Sequence, residues 1–246
     1  MSAPAAPTWS LATGLAALKV DKKGFGLYAA VHYDELVDCP VEMGDFWVGK
    51  FTACGVPHRF VVAGAAPSFD GQRLLADTQK ICETAIRFWH GQGKAPFTSY
   101  LFMLNAVNDG YGGLEHRAST ALLCSRNDLP HRGLGAPSEG YRQFLGLCSH
   151  EYFHTWNVKR IKPAAFVPYD LGRENYTRLL WAFEGFTSYY DDLALLKSGR
   201  ISRREYLDLL AKTVSAVHKG SGRLKQSVSE SSFEAWTKYY RQDENS

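Results

Sequence analysis

The chain has 246 residues, with 28 lysine and arginine residues against 25 aspartate and glutamate residues, so its formal net charge is +3. Hydrophobic residues make up 45% and charged residues 22%, a balance typical of a folded globular protein with enough apolar material for a core. These values exclude a disordered chain, and the sequence has neither a clustered basic face for nucleic acid nor an apolar run long enough to span a membrane.

The five cysteines are an odd number without a CxxC pair, which favours neither a disulfide framework nor a zinc knuckle. We expect buried free thiols in a reducing compartment. The N-terminal residues lack a basic stretch before their apolar part, so no signal peptide is predicted and a cytoplasmic location is expected.

Residues 1–66 are predicted to be a strand-rich segment. Alternating bursts bounded by glycine and proline predict strands over 26–33, 46–51 and 59–63. Residues 38–42 have the composition of a turn followed by the start of a strand.

The next stretch combines a helix with strands. Apolar residues at three- and four-residue steps predict a helix over 70–90, ended by Gly91. Two apolar runs, 100–107 and 120–125, predict a hairpin-like pair of strands, and a glycine-rich loop over 108–116 is expected between them.

The last stretch is predicted to be helical. Ser138 is the expected N-cap of a helix that runs to about Asn157. A second helix is predicted over 176–197 and a third over 202–218.

The first of these helices carries an HExxH sequence, from His150 through Glu151 to His154. Spacing i, i+4 places both imidazoles on one face, one turn apart and close enough to share a metal ion. Catalytic zinc takes three protein ligands, commonly including imidazole nitrogen, and Glu151 stands beside these ligands as a general base for the attacking water. The motif predicts one zinc ion per chain; the alternative is a purely structural helix.

Two glutamates compete to be the third ligand. Glu174 lies in a polar loop, where an N-cap or a surface salt bridge accounts for it. Glu184 lies within an aromatic helical segment, where a buried carboxylate without a cation would be costly. We therefore predict Glu184.

Two segments, SHEYFHTWNVKRIKP and RENYTRLLWAFEGFTSYY, closely resemble the M61 glycyl aminopeptidases, which belong to the gluzincins. The resemblance implies an α+β, thermolysin-like catalytic domain, with a small mixed sheet and a helical half that carries HExxH. It also implies that Glu184 is the third ligand, because Trp181 to Phe186 is similar to the ligand segment of the related M1 aminopeptidases.

The segment Gly112-Gly113-Leu114-Glu115-His116 resembles the exopeptidase motif of the M1 enzymes. The resemblance implies that Glu115 holds the free α-ammonium of the substrate and that the strand backbone at Gly112 and Gly113 pairs with the peptide. The alternative is a glycine-rich turn with a surface charge.

The same resemblance implies a longer protein, with an N-terminal β domain and a C-terminal PDZ-like domain as partners of this chain. Residues 1–66 would hold the end of the first domain and the start of the catalytic domain, and residues 67–246 a zinc peptidase domain truncated at its C-terminus. Tyr239 and Tyr240 are candidate oxyanion donors by their order along the chain, and Tyr240 is the residue we name. The alternative, implied by the resemblance, is that the oxyanion tyrosine is missing from this sequence.

Together these features predict a hydrolase, a zinc-dependent metalloprotease that removes small N-terminal residues such as Gly or Ala from peptides. Two alternatives stay open. One is a catalytically incomplete, metallopeptidase-like binding module; the other is a zinc endopeptidase.

Overall fold

The computed structural model describes residues 8–239. The strands are β1 (Ser10–Thr13), β2 (Ala16–Val20), β3 (Gly26–Ala29), β4 (Val41–Gly44), β5 (Phe46–Ala53), β6 (Val56–Ala63), β7 (Tyr100–Val107), β8 (Tyr111–Glu115) and β9 (Ser119–Ser125). The helices are α1 (Tyr33–Val37), α2 (Gly71–His90), α3 (Glu139–Phe153), α4 (Leu180–Lys197), α5 (Arg203–Lys219), α6 (Val228–Phe233) and α7 (Ala235–Lys238).

The described strands form one larger sheet and two small ones. β1 pairs with β4 and β2 pairs with β3, while the larger sheet has the order β5-β6-β7-β9-β8. Within it β6, β7 and β9 run parallel, and β5 and β8 are antiparallel to their neighbours. The predicted combination of a small mixed sheet with helices is confirmed, and β8 forms one edge of that sheet. The thermolysin-like relationship stays a prediction.

The predicted hairpin between residues 100–107 and 120–125 is wrong, because β7 and β9 are parallel neighbours. The glycine-rich stretch expected to be a loop contains β8, which pairs antiparallel with β9 in a register that places Gly113 opposite Leu122. After β7 the chain forms β8 at the edge of the sheet and then turns back into β9, which lies between β7 and β8. Because β8 is antiparallel to β9, β9 runs in the same direction as β7.

The predicted strand over 26–33 is too long. β3 ends at Ala29, and α1 follows after His32, whose Nδ1 accepts a hydrogen bond from the backbone N–H of Glu35. Asp34 and Glu35 lie in the first helical turn, where the helix dipole favours negative charge. The N-cap hydrogen bond and the acidic first turn therefore favour a helix here, although the alternation of apolar residues predicts a strand.

The core lies between the larger sheet and helices α2 and α3. Phe60 and Phe102 stack with their ring centroids 4.9 Å apart, and Tyr152 of α3 lies 5.8 Å beyond Phe102. Burial of each such ring contributes about 1.5–3 kcal/mol, so these contacts fix α3 against the sheet. All five cysteines are free; Cys82, Cys124 and Cys148 are buried as predicted, but Cys39 is only half-buried and Cys54 is exposed in the turn between β5 and β6.

The helical stretch follows the prediction except at its boundaries. Ser138 caps α3 by accepting a hydrogen bond from the N–H of Tyr141 at 3.0 Å. α3 ends at Phe153, although His154 keeps helical angles of φ −59° and ψ −18°, and α4 begins at Leu180 rather than at Tyr176. Within residues 8–239, every helix is too short or too polar to cross a membrane.

Candidate metal centre and active site

Three side chains converge where the end of α3 faces the beginning of α4. Nε2 of His150 lies 3.0 Å from Nε2 of His154. Oε2 of Glu184 lies 3.3 Å from the first of these nitrogens and 3.5 Å from the second. One turn of α3 therefore presents two imidazoles to a carboxylate that α4 supplies.

The other nitrogen of each imidazole is already engaged. Nδ1 of His150 donates to Oδ2 of Asp191 at 2.8 Å, and Nδ1 of His154 donates to the carbonyl oxygen of Asn157 at 2.9 Å. When each Nε2 gives up its proton it presents a lone pair, so two nitrogens and a carboxylate oxygen can then act together as ligands. A cation bound between these three atoms would stabilise the arrangement. Two imidazoles with one carboxylate are the donor set of many catalytic zinc sites. The residues present therefore fit a zinc ion.

Helix α4 carries the candidate ligand Glu184 and also Asp191, whose carboxylate orients the ring of the candidate ligand His150. Glu184 and Asp191 are seven residues apart, about two turns, so both lie on the face towards α3. Asn157 strengthens this junction, because its amide donates to the Phe183 carbonyl oxygen at 3.2 Å and to Oγ1 of Thr187 at 3.1 Å. These contacts between the end of α3 and the beginning of α4 fix His150, His154 and Glu184 relative to one another.

The predicted burial of Glu184 is wrong. The side chain of Glu184 is 41% exposed, and Trp181 and Phe186 beside it are exposed as well. The first turns of α4 bury only Phe183 and Thr187, so the aromatic composition does not mean that this face lies in the core. The structure nevertheless groups Glu184 with the two histidines, whereas Glu174 is exposed and lies outside every cluster among residues 8–239 that could hold a metal ion.

The ionisation states of His150 and Glu184 depend strongly on each other. Burial lowers the pKa of His150, but hydrogen bonds to Asp191 and Glu184 outweigh it and raise the pKa to about 10. Burial raises the pKa of Glu184, but the hydrogen bonds from both histidines outweigh it and lower the pKa to about 2. Glu184 is therefore ionised at neutral pH.

Glu151 lies between the histidines and the sheet edge. It is 5% exposed, and its Oε2 has no hydrogen-bond partner within the described part of the chain. Burial raises the pKa of Glu151 to about 7, against the opposing effect of the two histidines. A buried carboxylate with an unpartnered oxygen beside a group that could hold a metal has the position required of a general base.

Gly113 on β8 makes room for Glu151. A Cβ at this position would lie 2.3 Å from Oε1 of Glu151 and 2.4 Å from its Cδ. Gly112 is different, because a Cβ there would meet no atom within 4 Å among the described residues. Of the two glycines, only the second is required for close packing against the carboxylate.

Glu115 ends β8 next to the same group. One carboxylate oxygen each from Glu115 and Glu151 and one nitrogen of His154 lie within 4.8 Å of one another. Glu115 also lines a cavity of about 750 Å³, together with Leu114, Lys159, Lys162 and Tyr169. The structure therefore brings Glu115 next to the residues that could hold a metal ion, in the lining of this cavity.

Tyr240 lies outside the described residues. Sequence reasoning missed Asp191 and Asn157, which hold the two imidazoles. The spacing of Asp191 from Glu184 was a usable signal, because seven residues return a helix to the same face.

The family model described as M61 glycyl aminopeptidase matches residues 143–246, and the model of the peptidase M61 N-terminal domain matches residues 1–45. A crystal structure of an aminopeptidase N family protein from Idiomarina loihiensis is similar with a TM-score of 0.92 and 48% identity, covering 97% of this chain and 40% of that one. The chain thus spans about two fifths of the length of this relative.

A weaker similarity is to Legionella pneumophila aminopeptidase A in complex with aspartic acid. Its TM-score is 0.42 and its identity 16%, and it covers 65% of this chain and 17% of that one. The comparison with curated proteins gave no match.

Proposed function

Because this chain belongs to the M61 peptidase family, we propose that it forms the catalytic part of a zinc-dependent aminopeptidase. The substrate is a peptide, and the name of the family favours a small N-terminal residue such as Gly or Ala. The identity of 48% to an aminopeptidase N family protein supports the same class of reaction.

One observation carries the proposal. The Nε2 atoms of His150 and His154 converge on Oε2 of Glu184 while both Nδ1 atoms are held by oxygen acceptors. His150, His154 and Glu184 would hold the zinc ion. When bound, zinc supplies Lewis-acid chemistry to the scissile carbonyl group and to water.

The residues of the chain account for the proton transfers. Glu151 accepts a proton from the attacking water and returns it to the nitrogen of the leaving amine. Its burial keeps it next to the histidines, and Gly113 gives it space to do so.

Selection for a free N-terminus comes from Glu115. Its carboxylate attracts the α-ammonium of the substrate at the end of the β8 edge. Because β8 is an edge strand, the backbone groups of every second residue do not bond to β9 and are available to pair with an extended peptide; one of the adjacent Gly112 and Gly113 is such a residue. A peptide anchored at its amine places its first peptide bond near Glu151.

The test combines metal analysis with hydrolysis of a glycyl anilide. We expect one zinc ion per chain, hydrolysis that a chelator abolishes and zinc restores, and loss of at least a hundredfold in kcat for Glu151→Gln with zinc still bound. A folded protein that binds no zinc would refute the proposal.

The same assay separates the two alternatives. Bound zinc without turnover would identify a binding module. Hydrolysis of N-acetylated peptides as fast as of free peptides would identify an endopeptidase and would remove Glu115 from its role.

A further inference from the structure

Asp38 is a carboxylate of the N-terminal segment that lines the same cavity as Glu115. It is the C-cap residue of α1, within the residues matched by the M61 N-terminal domain model, and its side chain is 17% exposed. The proposed reaction does not use this carboxylate.

Three groups surround its two oxygens. Nδ1 of His116 donates to Oδ1 at 3.3 Å, the backbone N–H of Arg117 donates to Oδ2 at 2.9 Å, and Nζ of Lys159 lies 3.2 Å from Oδ1. Burial raises the pKa of Asp38, but the His116 hydrogen bond, the charge of Lys159 and the Arg117 N–H outweigh it and lower the pKa. The group is a carboxylate at neutral pH.

These partners belong to two different parts of the active site. His116 directly follows Glu115, and Arg117 continues the turn from β8 to β9. Lys159 belongs to the turns after α3, where its N–H donates to the carbonyl oxygen of His154 at 3.0 Å. One carboxylate therefore joins the turn after Glu115 to the turn after His154.

The position of Glu115 depends on this backbone. Within residues 8–239, no hydrogen bond or ion pair is found for its carboxylate, so its place is set by the strand end that carries it. That end is held by the ladder to β9, in which Glu115 pairs with Thr120, and by the contacts of Asp38. The turn that follows is also held by the His116 N–H, which donates to the Ser119 carbonyl oxygen at 2.9 Å, and by Arg160, which donates to the Arg117 carbonyl oxygen at 2.9 Å.

We infer that Asp38 is a positioning residue, which holds Glu115 at the distance from His154 that recognition of the substrate amine requires. The inference rests on the proposed function, because it assumes that Glu115 binds the amine. It gives the N-terminal segment a part in substrate selection.

The test measures preference for the amine rather than activity. Glycyl-phenylalanine amide and acetyl-phenylalanine amide differ only in the α-amine, so the ratio of their dissociation constants reports amine recognition. Binding is measured by calorimetry on the zinc-loaded protein in a Glu151→Gln background, where hydrolysis of either ligand is slowed at least a hundredfold. This ratio does not depend on the fraction of protein that is correctly folded.

We expect Asp38→Asn to lower the preference for the amine about tenfold, with zinc content unchanged. Adding Asp38→Asn to Glu115→Gln should cause no further loss, because both changes act on the same contact. Asp34→Asn, an exposed acid in the first turn of α1, is the matched control and should keep the ratio. Lys159→Met, which removes only one of the three contacts, should give a smaller loss and serves if Asp38→Asn does not fold.

A merely structural role gives a different result. Asp77 is a comparably buried carboxylate that contacts Tyr141 and Arg200 away from the site, so Asp77→Asn should lower thermal stability and keep the ratio. If Asp38→Asn behaves as Asp77→Asn does, the inference is overturned. If Glu115→Gln leaves the ratio unchanged, or neither ligand binds, the amine site of the proposed function fails instead.

Discussion

Substitution of Gly113 by alanine tests the placement of Glu151 directly. The added Cβ would lie 2.3 Å from Oε1 of Glu151, whereas ordinary contacts begin at 3.4 Å, so the carboxylate must move by about 1 Å. The neighbouring Gly112→Ala is matched to it, because on the same strand its Cβ meets nothing within 4 Å among the described residues. Any effect of Gly112→Ala therefore reports only a methyl group on the strand edge.

The size of the effect follows from the displacement. Misplacing a reacting group by about 1 Å costs on the order of a hundredfold in rate, which corresponds to about 2.7 kcal/mol in the activation free energy. The free energy of unfolding should fall by about 1–3 kcal/mol, the usual cost of an extra methyl group in a packed site.

The measurement is kcat for a glycyl anilide, with zinc content and thermal unfolding recorded for each variant. We expect Gly113→Ala to lose at least tenfold more kcat than Gly112→Ala while both bind zinc. Equal kcat values in folded, zinc-loaded Gly113→Ala and Gly112→Ala would refute the role of Glu151 or its packing against β8.

Three further predictions concern the metal group and the core. Glu184→Gln should abolish zinc binding, whereas Glu174→Gln should retain it, as measured by metal analysis of the purified proteins. Loss of zinc from Glu174→Gln alone would show that Glu174, and not Glu184, is the third ligand. Asp191→Asn should weaken zinc binding by about 10–100-fold in a competition titration with a chelator, because His150 loses the acceptor that orients its ring, and an unchanged affinity would contradict this. Buried His58 has a pKa lowered to about 4, mainly by burial, against 6.5 for the free group. The unfolded chain therefore takes up the proton first, and the free energy of unfolding should fall by about 2 kcal/mol from this residue between pH 7 and pH 5. Urea unfolding of His58→Gln should show a correspondingly smaller pH dependence, and an identical pH dependence in both proteins would count against the buried neutral imidazole.

The sequence predicts the long elements well because their signals are local. α2 has an uninterrupted apolar stripe with Asp70 at its start and Gly91 at its end, and both ends lie within one residue of the prediction. The strand over 100–107 is an apolar run buried along nearly its whole length, and its bounds agree with the prediction.

The errors arise where pairing partners decide the structure. Glycines at 112 and 113 indicate a loop when taken locally, yet β8 forms because β9 offers an edge and Glu151 leaves no space for a side chain. Long-range contacts of this kind are absent from periodicity, and so are the hydrogen bonds that Asp191 and Asp38 make.

The candidate site shows the same division. HExxH predicts two neighbouring imidazoles because helical spacing fixes them, and the structure brings them together. The choice between Glu174 and Glu184 depends on tertiary contacts. The predicted burial of Glu184 is wrong, although the structure does place Glu184 beside the histidines.

The junction between α3 and α4 has a consequence for how the sequence can change. Glu184, Thr187 and Asp191 meet the end of α3 at one helical phase, and each contacts a residue in or just after the HExxH sequence. An insertion of one residue between Glu184 and Asp191 would rotate Asp191 by about 100° and shift it by about 1.5 Å along the axis. The segment from 184 to 191 should therefore tolerate substitutions at its outward positions but no change of length.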